Sequence, residues 1–409
     1  MQKPLKLKSR RDKGLIVVGA IVAIIAVTTV GGWVVAGIAL NRAPDALGDT
    51  APSWSDDSTK VAFSSDETGD LDIYVMNADG SGRVNLTNRE AKDMDPSWSP
   101  NGEWIAFLSR TQGKTDIHRV RPDGTGLTSL TVHPAQLYSR PIWSPDGTKI
   151  AFTSNRDANP PPQLGPTPVP FHDGAPEFPG AAPRPELYVM NADGSGQTRL
   201  TFNFLFDGNP TWSPDSRRLA FQSREDGDHE IYVVNVDGSG LTKLTDNKYA
   251  DVFPAWSPDG QFIAFSSNRP KTEFGREMSE AARRNLRTVF TASPVDFDIY
   301  IMNPDGSGTY NWTRTSSLGD SGPSWSPDGS WIAFEAQPHL MFTQRGSAND
   351  IYLMRFEGAD LTNITGAKAR NQEGNEGPIV WSPDGNHIAF VTKRYGTPQI
   401  QTIKIFNPS

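Results

Sequence analysis

After residue 50 the chain repeats itself seven times, and that repetition decides what it can fold into. A Trp-Ser pair shortly after a proline marks each copy, at Trp54, Trp98, Trp143, Trp212, Trp256, Trp325 and Trp381. Nine residues later stands a phenylalanine, always preceded by Ala: Phe63, Phe107, Phe152, Phe221, Phe265, Phe334 and Phe390. A third element, typified by DIYVMN, opens at Asp72, Asp116, Glu186, Glu230, Asp298 and Asp350, with Gln399 in the last copy. Fourteen residues beyond each of these carboxylates an apolar residue is followed by Thr, as in Leu86-Thr87 and Leu244-Thr245. Each copy thus supplies four short segments, A to D, rich in β-branched and aromatic residues and separated by turns such as SPDG and NADGSG. Asp-Gly provides the positive φ that tight hairpins need. A period of about 44 residues holding four strands is the pattern of propeller blades. The chain therefore reads as an all-β, seven-bladed β-propeller over 51–409, with six blades as the alternative, and its tryptophans and Ala-Phe pairs read as packing residues. The seventh copy ends before a strand D can form. Residues 42–50 are a linker or a closing strand, and a strand drawn from Arg42 to Leu47 is expected to pair with the last strand C, because an exposed edge invites aggregation.

Length varies on one side of the repeat only. The Trp-to-Phe spacing is constant, whereas Phe to the start of strand C runs 9, 9, 34, 9, 33, 16 and 9 residues. In an up-and-down blade the B–C and D–A loops emerge on one face, so one face is uniform and the other elaborated. Loops on a rigid scaffold are where binding concentrates. The third-copy insertion, Asp157 to Pro185, holds ten prolines and reads as an extended, polyproline-like loop. The fifth-copy insertion, Gly275 to Phe290, has helical composition, with Met278, Ala281, Leu286 and Phe290 near one stripe and Arg283, Arg284 and Arg287 outward.

Before the repeats lies an uncharged stretch from Gly14 to Leu40. A helix of that length, at about 1.5 Å per residue, exceeds the roughly 30 Å hydrocarbon core, and a signal peptide's apolar region is normally only about 7–15 residues. Six Lys/Arg precede it within residues 1–13, and only Arg42 follows closely. The positive-inside rule then gives a cytoplasmic basic tail at 1–13, a transmembrane helix at 14–41 acting as a signal anchor, and a propeller outside the plasma membrane, a bacterial inner membrane. The 409 residues carry a formal charge of −8, and the tail is basic, so the body is more acidic still and a poor nucleic-acid binder. With no Cys there are no disulfides, thiolate metal sites or cysteine nucleophiles.

The phrase PSWSPDG, then IAF, then DIYVMNADGSG and a Leu-Thr ending, resembles the TolB-like β-propeller repeat, from about residue 51 to 409. The resemblance implies a propeller used mainly for protein contacts. TolB itself carries an N-terminal α/β domain before six blades, where this chain has an apolar span and seven copies. Similar repeats also form the propellers of prolyl-oligopeptidase-like enzymes, whose chemistry belongs to a separate hydrolase domain. No G-x-S-x-G nucleophile elbow occurs in this sequence.

Three residues before the strand-A proline stand Asp49, Asp93, Asp207, Asp251 and Asp320, with Tyr138 and Asn375 in the other two copies. Such carboxylates could hold Ca²⁺ or a cationic partner group. They could equally cap the turn that opens each inner strand, each accepting a backbone N–H. Just after strand B lie Arg110, Arg156, Arg224, Arg269 and Arg394, which either pair with the carboxylates opening strand C or capture an anionic ligand. The six histidines fall in different copies without an H-E-x-x-H pair, so neither a metal site nor catalytic residues are expected. The resulting expectation is a non-catalytic scaffold or receptor for an envelope protein, with no cofactor unless Ca²⁺. A propeller-based hydrolase or lyase acting on an envelope polysaccharide or peptide is the alternative.

Overall fold

The computed structural model describes residues 48–131, 139–156, 184–203, 206–225, 228–269, 297–313, 318–338, 350–358, 360–365, 378–392 and 397–405. All of them fall in one compact unit, Ala46–Ser409. The expected tail, membrane span and closing strand, both long insertions, and Tyr138, Asn375 and Arg394 lie outside the described residues. Among those described, no helix is long and apolar enough to cross a membrane.

Seven antiparallel sheets form, each with its strands in chain order, so the ring has seven blades and the six-bladed alternative is set aside. Blade 1 comprises Asp49–Trp54, Lys60–Ser65, Asp72–Asn77 and the two-residue outer strand Val84–Asn85. Blade 7 has three strands among the described residues, Val380–Trp381, His387–Thr392 and Gln399–Lys404.

The Ala-Phe pair explains how the blades stack. Neighbouring residues of a strand point to opposite faces, so each strand B turns its Phe toward the preceding blade and its Ala toward the next. Phe107 packs with Ala62, Phe152 with Ala106 and Phe221 with Ala151. Phe265 meets Ala220, Phe334 meets Ala264 and Phe390 meets Ala333. Phe63 with Ala389 completes the circle between blades 7 and 1. Burying each ring contributes about 1.5–3 kcal/mol.

A second series of inter-blade contacts runs through the inner strands of five blades, Trp98 and Trp256 having no acceptor among the described residues. The Trp143 indole N–H donates to Ser97 O at 3.0 Å, Trp212 to Ile142 O at 3.1 Å, Trp325 to Ala255 O at 3.1 Å and Trp381 to Ser324 O at 3.1 Å. Trp54 donates to Val380 O at 3.1 Å, which joins the first blade to the last. The backbone repeats the seam: Asp93 N–H donates to Leu71 O at 2.7 Å, and Asp49 N–H to Pro398 O at 2.8 Å. The ring is therefore closed at its inner and middle strands.

The uniform face is built from one turn used seven times. In blades 1 and 7, Ser55 and Ser382 Oγ each accept the N–H five residues on, at 2.9 Å, and every other blade has the same bond. Gly147 takes the left-handed position of its turn at φ +70°. In blades 1 and 4 that position is Ser58 and Ser216, whose hydroxyls accept Asp384 N–H at 3.0 Å and Asp146 N–H at 3.1 Å from the preceding blade.

Candidate functional site

The five aspartates sit where the inner strands begin, on the elaborated face, all less than 5% exposed. Their partners are mainly side chains rather than the N–H groups of an opening turn. Asp49 accepts Ser65 Oγ at 2.7 Å and both Arg83 Nη atoms at 2.8 and 3.0 Å. Asp93 takes a two-pronged bond from Arg89 Nε and Nη2, each at 2.8 Å. Asp251 accepts Asn247 Nδ2 at 2.8 Å and Arg269 Nη2 at 2.6 Å. Asp207 accepts Asn203 Nδ2 at 3.2 Å, and burial pushes its carboxyl up to about 6 against the hydrogen bonds of Ser223, Thr201 and Asn203. Asp320 is buried in the equivalent place, its N–H on Phe297 O at 2.6 Å. Among the described residues no three His, Asp or Glu side chains converge as metal ligands.

The arginines after strand B do not act as one set. Arg269 pairs with Asp251 of strand A, not with the strand-C carboxylate, and lies over the Phe265 and Tyr300 rings at 5.5 and 5.2 Å. Arg156 bonds the Gln197 amide oxygen and caps Phe152 and Tyr188 at 5.0 and 4.3 Å. Arg110 and Arg224 are exposed. Two residues missed by the sequence reading fill the same niche: Arg83 lies 4.7 Å from the Phe63 ring and Arg89 5.9 Å from the Phe107 ring. One niche is thus served from three places in the repeat. Four strand-C carboxylates, Asp72, Asp116, Glu230 and Asp350, are held by the Thr of the following apolar-Thr pair, whose hydroxyl accepts the next N–H and donates back, as Thr87 does between Ile73 N–H and Asp72, both at 3.1 Å. Glu186 pairs instead with Arg199 Nη2 at 3.2 Å.

Two residues beyond each aspartate the inner strand bulges. Ala51, Asp95, Asn209, Phe253 and Gly322 all adopt positive φ, between +48° and +64°, immediately before the strand's proline. The register shifts at the same place in these five strands. The preceding blade fixes the bulge: Asp95 N–H donates to Ser64 Oγ at 2.9 Å, Phe253 N–H to Gln222 Oε1 at 3.1 Å and Gly322 N–H to Ser266 Oγ at 3.1 Å. Blade 3 breaks the pattern. Leu108 stands where the acceptor would be, the inner strand shortens to Ile142–Trp143, and Arg140 takes the equivalent position without positive φ.

These positions line the axis. Arg140 Nη2 passes blade 2 altogether and donates to Pro52 O of blade 1 at 3.1 Å. Burial pulls its guanidinium down to about 10, partly offset by Asp95, so it stays charged at neutral pH. Burial also raises the Asp95 carboxyl, against the pull of Arg140. In the next two blades, Asn209 donates to Gln222 Oε1 at 3.0 Å and Phe253 is 45% exposed. Phe206, 40% exposed, lies over Gly208, where a Cβ would meet its ring at 3.1 Å, and edge-on to His229. In blades 1, 2, 4, 5 and 6 the backbone geometry here is the same, and only the side chains differ.

No curated protein matches this sequence. A putative TolB from Agrobacterium tumefaciens is 25% identical over 69% of this chain and 87% of its own, with a TM-score of 0.46. An oligogalacturonate lyase from Vibrio parahaemolyticus, 15% identical, covers 89% of this chain and 92% of its own at a TM-score of 0.62. The β-propeller domain of the Trilobed protease from Pyrococcus furiosus, 13% identical, covers 88% and 95% at 0.54. The last two show a shared fold alone. The family model for the TolB beta propeller domain matches residues 45–162 and 184–273, just over half of the chain. With its seven repeats and seven closed blades, the chain belongs to the TolB beta-propeller family.

Proposed function

We propose that this protein is a non-catalytic binding module, anchored in the plasma membrane by residues 14–41, that holds an envelope protein on the elaborated face of its propeller. The carrying observation is the contrast between faces. On one, a single serine-centred turn recurs in all seven blades, and in blades 1 and 4 it also bonds the preceding blade. On the other, a bulge shared by five inner strands presents different side chains beside loops of varied length, and exposed Phe202, Phe206 and Phe253 lie there. Exposed aromatic rings on a rigid frame are the usual anchors of protein interfaces. Residues 14–40 and the basic tail support the anchor and its orientation.

Photo-crosslinking residues placed at Phe202 and Phe253, and at Asp79 and Asp237 of the uniform face, test this in intact cells. Adducts of one discrete mass from the first pair alone are expected. Adducts from the second pair alone, or turnover of an oligosaccharide or peptide by the purified chain, would overturn the reading.

A further inference from the structure

Six of the seven repeat tryptophans are buried, and Trp381 of blade 7 is not. At three other seams a side chain lies against the ring. Arg218, six residues after the tryptophan of blade 4, holds its guanidinium 4.8 Å from the Trp256 ring of blade 5. His387, in the same place of blade 7, meets Trp54 at 5.8 Å, and Phe356 packs on Trp325 at 4.9 Å. Between blades 6 and 7 neither cover is in place. Trp331, the counterpart of Arg218 and His387, carries Arg355 of its own blade 4.7 Å from its ring. Ile405, whose N–H bonds Asn386 O as that of Phe356 bonds Ser330 O, is too short to replace the phenylalanine. A cavity of about 310 Å³ remains on the uniform face, walled by Pro327, Trp331, Trp381 and Ile405 and bordered by Asp328 and Asp384.

That border is anionic. Partial burial raises the Asp328 carboxyl, but hydrogen bonds from Ser326 and Ser330 outweigh it and leave the group below its usual range, as Ser382 and Asn386 do for Asp384. Each carboxylate accepts three hydrogen bonds inside its own turn. A carboxylate offers about four acceptor sites, so each keeps one. Arg355 is engaged elsewhere, its Nε–H on Asp360 at 2.9 Å.

We propose that this cavity receives an arginine side chain from a partner protein, its guanidinium against the Trp381 ring and beside Asp328 and Asp384. The protein makes the same contact within itself at Trp256, where the charge of Arg218 also reaches Asp215, the counterpart of Asp328. Arginine suits the site better than lysine because a planar guanidinium both stacks on an indole and bonds carboxylates. The site lies on the face opposite Phe202 and Phe253 and is additional to the partner contact proposed there.

The full-length chain in detergent is titrated by ligand-observed NMR, with an empty-micelle control, against N-acetylarginine amide and its citrulline counterpart, which keeps the shape and loses the charge. The arginine probe should bind saturably and about tenfold or more tighter than citrulline. Asp328→Asn combined with Asp384→Asn should reduce that difference to about twofold or less. The turns tolerate the change, because blade 2 builds the same turn on Asn101, which accepts Ser99 Oγ–H at 2.7 Å. Trp331→Arg gives this seam the residue type of Arg218 and should abolish binding by filling the cavity from within. Equal binding of the two probes, no saturable binding of arginine, or undiminished binding by either variant overturns the proposal. None of the four crosslinking positions lines this cavity, so failure here leaves the loop-face crosslinks untouched, and failure of those crosslinks leaves this titration standing.

Discussion

Phe253 and Asp207 are two positions where the fold carries a cost within single side chains. A left-handed backbone costs a residue with a Cβ about 1–2 kcal/mol, and the exposed ring recovers little of it. Phe253→Gly should therefore raise stability by about 0.5–1 kcal/mol after the added freedom of the unfolded chain is counted, read as a higher melting temperature. Asp207 lacks the directly bonded guanidinium that Asp49, Asp93 and Asp251 possess. Its folded carboxyl keeps its proton to about pH 6, whereas an unfolded aspartate loses it near 4. In that window the unfolded chain binds fewer protons, so stability falls as pH rises, by up to about 3 kcal/mol at neutral pH. Asp207→Asn should flatten the decline between pH 4 and 6 in denaturant titrations; an unchanged slope would place it on another group. Neither cost was visible from the sequence. The bulge residues are Ala, Asp, Asn, Phe and Gly, with no common type to draw attention, and their one shared mark is the proline that follows.

Strands were far more legible than partners. The fixed Trp-to-Phe and carboxylate-to-Thr offsets locate strands A, B and C because the pleat leaves no slack between them, and the outer strands reduce to two residues each, as at Thr242–Lys243. The aspartate partners escaped because Arg83, Arg89 and Arg269 arrive from the C–D turn, the D–A loop and the end of strand B. No single offset describes them. Asp93→Ala strips Arg89 of a buried two-pronged acceptor and should cost about 1–3 kcal/mol, without any change on adding calcium. A calcium-dependent rise in melting temperature that this variant loses would return the set to cation binding. The indoles offer a cleaner comparison. Trp54 Nε1 meets Val380 O, whereas Trp98 Nε1 is buried without an acceptor among the described residues. Trp54→Phe should therefore cost about 1 kcal/mol more than Trp98→Phe, since both lose similar apolar area.

For the whole molecule, seven interchangeable interfaces make a ring whose seam differs little from its other joints. The Phe63–Ala389 core has its counterpart at every joint and the Trp54–Val380 bond at blades 3, 4, 6 and 7, so among the described residues the ring closes through its inner and middle strands. Ring and blade number followed from repetition, while the expected strand at Arg42–Leu47 lies outside the described residues. Should the basic flank orient the chain as proposed, protease added to spheroplasts will remove the propeller and spare the residues before the span; a shortened soluble product in the medium would instead reveal a cleaved signal. The seam also has a mechanical meaning. Gly48 enters strand A beside Pro398, its N–H on Asp66 Oδ1 at 3.1 Å, so tension on the N-terminal end is delivered along the axis of Asp49–Trp54. Antiparallel hydrogen bonds run across their strands, and a pull along the strand strains the whole A–B ladder of blade 1 at once instead of unzipping it bond by bond. A tether attached there loads that ladder in shear, sharing the force among all its rungs.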